Sequence, residues 1–329
     1  MLNYIVNRLS ECQKESGIPT RVSLPEATDD VVLGSLLHLD FNLIHPVLVC
    51  KPDDVYLVKE KLEKLEIDLS NVDILESNAD DEMINRFIEI RKNKYSVDEA
   101  KQILSEPNFY AMMLVEMGRA DILVGGRVYS TKDILSPAFQ IIKTQPGVSV
   151  ASGAFIMHND DHRFVFADCA VNIAPIENDL VDIANSAIQT AKYFDIDPNV
   201  AILSFSSNGS GTHPKSTLMQ NVADRVKSMN PSAYIEGEIQ FDAAFSPSIR
   251  ESKFPNANLR KEPANVYIFP GLNSGNITYK AVQQLGGYNV IGPIVQGMNK
   301  PISDLSRGAS SKEVANTIYL TAIQSSCKI

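Results

Sequence analysis

Short apolar strands alternating with helices constrain this chain more than any other feature of its sequence. RVSLPEA reads as a strand ending in a turn, and DDVVLGSLLHL has helical spacing. HPVLVCK is a continuous apolar strand, DDVYLVKEKLEKL is a helix, and VDIL is another short strand. Two or three helices follow between Asp80 and Gly118. Among them SVDEAKQIL offers Ser96 and Glu99 as a capping box, and Asp80-Asp81-Glu82 reads as a helix start. ADILVGG is then a buried strand, and TKDILSPAFQIIKT a helix. Strands that are apolar on both faces, separated by helices, imply a parallel sheet covered on each side.

From about Val148 the texture changes. VSVASGAFIMH and RFVFADCAV read as two long strands joined by the polar tip NDDH, which predicts a hairpin. Alternation then resumes with the helix ENDLVDIANSAIQTAKYF, the strand NVAILSFS, a helix from Pro214 to Met229, and the strand AYIEGEI. At 329 residues the chain exceeds what one core usually holds, since cores split beyond roughly 250–300 residues. The expectation is an α/β protein of two domains, each a parallel or mixed sheet flanked by helices. Residues 1–147 with 294–329 form a discontinuous first domain, and 148–293 form the second. The closing strand-loop-helix unit is expected to complete the opening sheet.

Charge and composition narrow the function. A net charge of −10, with no basic stripe to offset it, argues against nucleic acid and against an anionic membrane surface. Any polyanionic ligand then needs a locally basic pocket. The opening MLNYIVNRLSECQKE is charged throughout and is not a signal peptide, and no apolar run reaches the roughly 20 residues needed to span a bilayer. A cytoplasmic location is expected. Cys12, Cys50, Cys169 and Cys327 show no metal-binding spacing, and Cys50 and Cys169 sit in apolar contexts as small hydrophobes. The five histidines show no paired motif either, so no catalytic metal is expected.

In an open α/β sheet, ligands collect outside the carboxyl ends of the strands. Four polar loops meet that description: Gly125–Thr131, Ser206–Gly211, Gly271–Asn276 and Asp304–Gly308. None is a Walker or GxGxxG motif, and singly such loops are mostly turns and caps. Four at one sheet edge predict a polar cleft between domains, whose N–H groups and hydroxyls suit phosphate oxygens and a pantetheine amide chain. The last loop sets Ser306 and Arg307 beside Gly308, just ahead of a helix N-terminus, which is the physics of an anion site. Glu313, one turn on, is a candidate base, although Ser310-x-x-Glu313 is also a capping box. Arg91, in EIRKNK at a helix end, has dipole complementation as its structural alternative.

FVFADCAVNIAP, AILSFSSNGSG, GEIQFDAAF, NVYIFPGLNSGNITYK, IGPIVQGMNKP and SDLSRG together resemble the phosphate acetyltransferase family, in order and spacing, over essentially the whole chain. FYAMMLVEMGRADILVGG and PAFQIIKT fit as well. The resemblance implies two α/β domains like those of isocitrate and isopropylmalate dehydrogenases, with an active-site cleft between them. It also implies a homodimer and no bound cofactor. Coenzyme A, acetyl-CoA, phosphate and acetyl phosphate are the implied substrates and products, exchanged by direct thiolate attack in a ternary complex. By the same resemblance Glu313 is the base, where the family usually has Asp. Ser306 and Arg307 hold the phosphoryl and carbonyl oxygens, and Arg91, Ser130 and Thr131 bind substrate. Asn273, Ser274, Asn276, Ser206 and Ser207 are further substrate-binding candidates from the polar loops.

The sequence also departs from the family pattern. The family arginine before PALQIIKT is Ser136 here, its loop histidine is Tyr129, and the lysine of its STKGS loop is Asn208. Arg127 replaces a small residue and is expected to return a guanidinium to the phosphate site. Acetyl transfer is the leading expectation. A butyryl or other acyl specificity, or a catalytically weak homologue that binds coenzyme A or acyl phosphate, remains open.

Overall fold

The computed structural model describes residues 2–327. Its strands in chain order are Thr20–Leu24 (β1), Ile44–Cys50 (β2), Asp73–Glu76 (β3), Ile122–Gly125 (β4), Ser152–His158 (β5), Arg163–Ala167 (β6), Asn199–Leu203 (β7), Tyr234–Ile239 (β8), Val266–Ile268 (β9), Asn289–Gln296 (β10) and Ile302–Asp304 (β11). The chain separates into two compact units, one running to Gln145 and resuming at Met298, the other spanning Pro146–Gly297.

The first unit holds a five-stranded sheet in the order β11-β4-β1-β2-β3, parallel at every pairing. β2 is buried along most of its length, as a strand covered on both faces must be. Several of its helices begin at side-chain caps that satisfy N–H groups with no partner in the first turn. Asp29 accepts from Val31 and Val32, Asp80 accepts from Met83, and Ser96 with Glu99 forms the expected reciprocal box. The final helix, Ser311–Ser326, is buried around nearly its whole circumference from Val314 to Ile323. It packs on β4, on β1 and on the helices Leu2–Gln13 and Asp30–Ser35, which makes it a central helix of this unit. A disulfide joins Cys12 to Cys327, 315 residues apart, tying the first helix to the end of the last. Cys50 and Cys169 are free and buried, and burial raises both thiols, Cys50 to about 11.

The second unit holds a six-stranded mixed sheet in the order β10-β5-β6-β9-β7-β8. β5 and β6 form the expected antiparallel hairpin, while β6, β9, β7 and β8 run parallel. Helix Glu177–Tyr193 buries Leu180, Ile183, Ala184, Ala187, Ile188 and Ala191, a stripe at helical spacing. The opposite side of the core is aromatic, with Phe164, Phe166 and Tyr267 in edge contacts 5.3–5.7 Å between centroids. β10 is an edge strand, and its register shifts between Ile291 and Ile294 around Pro293, which has no N–H to give. It continues on this sheet to Gln296, so the chain leaves the second unit at residue 297 rather than at 294.

Candidate functional site

The four polar loops do not share one sheet edge. Loops 126–130 and 305–310 follow β4 and β11, neighbours in the first sheet, whereas 204–213 and 269–271 follow β7 and β9, neighbours in the second. Two loops on each sheet therefore replace the expected four on one.

In the first unit, β1 ends at Leu24, and Pro25 carries the chain into Glu26, whose side chain is 5% exposed. Its Oε1 accepts from the backbone N–H groups of Val128 and Tyr129, both at 2.7 Å. Its Oε2 accepts from Arg127 N at 3.0 Å, and Gly126 N lies 3.2 and 3.1 Å from the two oxygens. A buried carboxylate needs charge-assisted donors to offset desolvation, and here the backbone supplies them. These are the amides expected to receive phosphate oxygens. That expectation is corrected, because an internal anion already fills the nest.

β11 closes on Asp304, 8% exposed, whose Oδ2 accepts the Thr131 hydroxyl at 2.7 Å and whose buried Oδ1 has no partner. Burial pushes this carboxyl up to about 6; the Thr131 hydrogen bond pulls the other way, and the Glu26 charge adds to the rise. Beyond Asp304 the chain surfaces. Ser306, Arg307 and Gly308 are exposed, and the Ser306 hydroxyl accepts from Gly308 N at 3.3 Å. The Arg307 guanidinium has no hydrogen-bond or ion-pair partner among the described residues. Glu313 completes its capping box, its Oε2 accepting from Ser310 N and Oγ, both at 2.8 Å, while its side chain stays exposed.

The two loops of this unit are tied together. Leu305 N donates to Gly125 O at 2.6 Å, Thr131 reaches Asp304, and Arg127 Nε donates to Ala309 O at 3.2 Å. Arg127, Thr131, Ser306 and Arg307 therefore lie on two linked loops. Ser130 caps helix Thr131–Ile141, with its hydroxyl on Asp133 at 2.6 Å. Burial, helped by the Glu106 charge, raises the Tyr129 phenol to about 12, so at this family histidine position stands a neutral side chain. Ser136 accepts from Gln140 Nε2 at 2.8 Å within its own helix. Arg91 makes no bond to either loop. Its Nη1 is 3.4 Å from Gln140 O, in the last turn of helix Thr131–Ile141, and its guanidinium lies 5.9 Å from the Tyr95 ring centre. A cation at a helix C-terminus is the dipole arrangement, on the neighbouring helix rather than its own.

In the second unit, Ser206 is fully buried, donating to Glu238 Oε1 at 2.8 Å and accepting from Gly211 N at 2.8 Å. The hydroxyl of Ser207, also buried, accepts from Gln240 N. Glu238 Oε1 further takes Gly209 N at 2.8 Å, while its Oε2 is buried without a partner. The segment expected as a polar loop at 271–276 is the first turn of helix Leu272–Gly286. Asn273 is exposed on it, the Ser274 hydroxyl donates to Gly271 O at 2.7 Å, and Asn276 Nδ2 donates to Cys169 O at 3.2 Å. Gly275 allows this turn to seat. A Cβ there would stand 2.3 Å from Asp168 O. Asp168 is itself buried and accepts from the backbone N–H groups of Gly153, Ala170, Val171 and Asn172.

Glu26, Asp168 and Glu238 do not stand out as functional positions in the sequence, and Asp304 does so only as the first residue of a candidate loop; each is an acid at or just past the end of a strand. Among the described residues no group of three His, Cys, Asp or Glu side chains is placed to hold a metal ion.

Comparison with known proteins shows the family of the chain. Residues 4–322 match the family model described as phosphate acetyl/butaryl transferase. The chain is 40% identical over 319 residues to a phosphate acetyltransferase of Bacillus subtilis, covering 95% of this chain and 97% of that protein. Among solved structures, a phosphotransacetylase from Streptococcus pyogenes matches with a TM-score of 0.92 and 38% identity, over 99% of both chains. The EutD phosphotransacetylase from Staphylococcus aureus matches with a TM-score of 0.90 and 37% identity, over 98% of this chain and 99% of that one.

Proposed function

Because the chain belongs to the phosphate acetyl/butaryl transferase family, we propose that it is a phosphate acetyltransferase, moving an acetyl group reversibly between coenzyme A and orthophosphate. The observation that carries the reading, beside family membership, is the free guanidinium of Arg307 next to the Ser306 hydroxyl on an exposed loop leading into a helix. A protein of net charge −10 has little general attraction for a phosphate dianion, so a local unpaired cation is what such a substrate requires.

The chemistry follows from these parts. The thiol of coenzyme A is a simple alkyl thiol and, like a free cysteine, is mostly protonated at neutral pH, whereas the thiolate is the nucleophile. Glu313 takes the thiol proton, directly or through one water; one of its oxygens is held by Ser310 and the other is free of that cap. The thiolate attacks the acetyl carbon, the C–S bond forms as the C–O bond to phosphate breaks, and phosphate leaves with the electron pair. Arg307 and Ser306 hold the oxygens on which negative charge collects, which is the largest usual contribution in such transfers. Arg127 supports this charge from the neighbouring loop, Ser130 and Thr131 shape the substrate side, and Arg91 is assigned there on the family resemblance alone. Asn273, Ser274, Asn276, Ser206 and Ser207 stay substrate-binding candidates on the sequence reading, although the hydroxyls of Ser206 and Ser207 are buried and already bonded.

We further assign a cytoplasmic location, a homodimer and a role in acetate metabolism. The family resemblance supports all three, and no helix is long and apolar enough to cross a membrane among the described residues. One steady-state assay tests the function: acetyl-, propionyl- and butyryl-CoA with phosphate, each compared by kcat/KM. The reading expects the acetyl substrate to lead. A butyryl preference would support the longer-chain alternative, which the altered loop at residues 127–136 keeps in play. No turnover with any of the three would support a binding protein.

A further inference from the structure

We propose that Glu26 is a positioning residue for the acyl-phosphate side of the reaction, holding the loop that carries Arg127 and Thr131; the inference rests on the activity proposed above. The ground for it is a buried carboxylate spent on one backbone path. Gly126, Arg127, Val128 and Tyr129 are consecutive, and all four give their N–H groups to Glu26. A buried acid ordinarily pairs with Lys or Arg. Pairing instead with main-chain donors fixes the course of the loop itself.

Its other anchors lie at the loop's flanks, the ties of Gly125, Arg127 and Thr131 to the neighbouring loop and the Ser130 cap, and its own side chains add little at the turn. Val128 is 61% exposed, Arg127 is half-buried, and Ser130 is exposed. Gly126 turns with φ +109°, and a Cβ at that position would lie 2.2 Å from Asp304 Oδ1, so the loop approaches β11 more closely than any side chain permits. From the fixed turn, Arg127 reaches Ala309 O and Thr131 reaches Asp304. Glu26 thereby acts on the Ser306–Arg307 loop through two further ties. Positioning is steeply sensitive to distance, and a displacement near ~1 Å is enough to cost a large factor in rate.

Glu26→Gln is nearly isosteric but turns one oxygen into a donor facing donors, so the amide on Oε2 loses its acceptor. The full-length chain should be examined as wild type, Glu26→Gln and Glu26→Asp, by hydrogen–deuterium exchange over residues 126–129 and by steady-state kinetics. In Glu26→Gln, exchange there should quicken at least tenfold and the KM for acetyl phosphate rise at least fivefold, with the KM for coenzyme A within twofold of wild type. Glu26→Asp keeps the buried charge but falls short of the loop. It covers the case in which the glutamine variant does not fold, and should show the same pattern at smaller size. Unchanged exchange in the folded variants overturns the proposal. So does faster exchange with an unmoved KM for acetyl phosphate, or a rise shared equally by both substrates, which is what general loosening would give. A wild-type chain inert toward acetyl phosphate would bring down the activity reading and this role with it. With an active wild type, the variants decide Glu26 alone.

Discussion

The loops after β4 and β11 lie side by side at the carboxyl ends of adjacent parallel strands, and they solve opposite problems. The loop after β4 turns its amides inward onto Glu26, so its anion site is filled by the protein. The loop after β11 leaves Arg307 and Ser306 exposed and the guanidinium unpaired. A ring of backbone N–H groups is therefore no guide to where a phosphate binds until its internal acceptors are counted. On the proposed reading, the first loop supplies rigidity and the second supplies charge.

The largest expected effect bears on the second loop. Glu313→Gln should lower kcat by about 10²–10⁴-fold with smaller changes in KM, the usual worth of a general base. Gln also serves in a capping box, so near-normal turnover in this variant would reduce Glu313 to a helix cap. Glu313→Asp, which restores the usual family residue, should keep substantial activity in the same assay.

Next comes Arg307→Ala, expected to cost roughly 3–4 kcal/mol of transition-state stabilisation, as loss of an oxyanion donor does, with the melting temperature nearly unchanged because the side chain is exposed. Activity within a few-fold of wild type would erase the contrast between the two loops.

Arg127→Ala probes the link between the loops and should act less. About a tenfold rise in the KM for acetyl phosphate is expected, near 1.4 kcal/mol, since one supporting cation and its bond to Ala309 are lost. Ser136→Arg added to that variant should recover binding if the cation has moved between these positions. No kinetic effect of removing Arg127 would defeat the idea.

The smallest effect on activity, and a clear one on stability, is expected at Asp304. Its carboxyl ionises near 6 in the folded chain against 3.8 ordinarily, so between those values the folded state holds a proton that the unfolded state has lost. Stability must then fall as pH rises from about 4 to about 6, and the full penalty persists above 6. Asp304→Asn removes the penalty. Its stability relative to wild type should be lowest near pH 4 and grow by at most about 3 kcal/mol by pH 7, from about two pH units at 1.36 each. Thermal melts of both proteins from pH 4 to pH 7.5 would check this, and a constant difference across the range would show that Asp304 does not titrate there.

Much of this architecture was legible because local and global signals agree. The Ser96 and Ser310 capping boxes, the β5–β6 hairpin and the helix from Pro214 to Met229 follow from caps, turns and periodicity within a few residues. β11 was not legible, because three residues between Pro301 and Leu305 carry no periodicity. The turn Leu272–Asn276 reads as a loop in the sequence because Asn, Ser and Gly are poor helix formers. There Gly275 is selected by close approach to Asp168, a contact invisible in sequence. The disulfide joins residues 315 apart, and no local pattern announces it. For the site, a loop arginine without helix partners was readable at Arg307. That Glu26 would consume the amides of Gly126–Tyr129 was not, since the partners are 100 residues or more apart.

The contrast between a filled anion site and an open one is most directly tested by thermal stabilisation with inorganic phosphate. A ligand that binds only the folded chain stabilises it by about 2.7 kcal/mol at a hundred times its Kd. Wild-type protein should melt progressively higher as phosphate rises, Glu26→Asp should keep most of that shift, and Arg307→Ala should lose it. An Arg307→Ala protein whose melting temperature climbs with phosphate as the wild type's does would contradict the account.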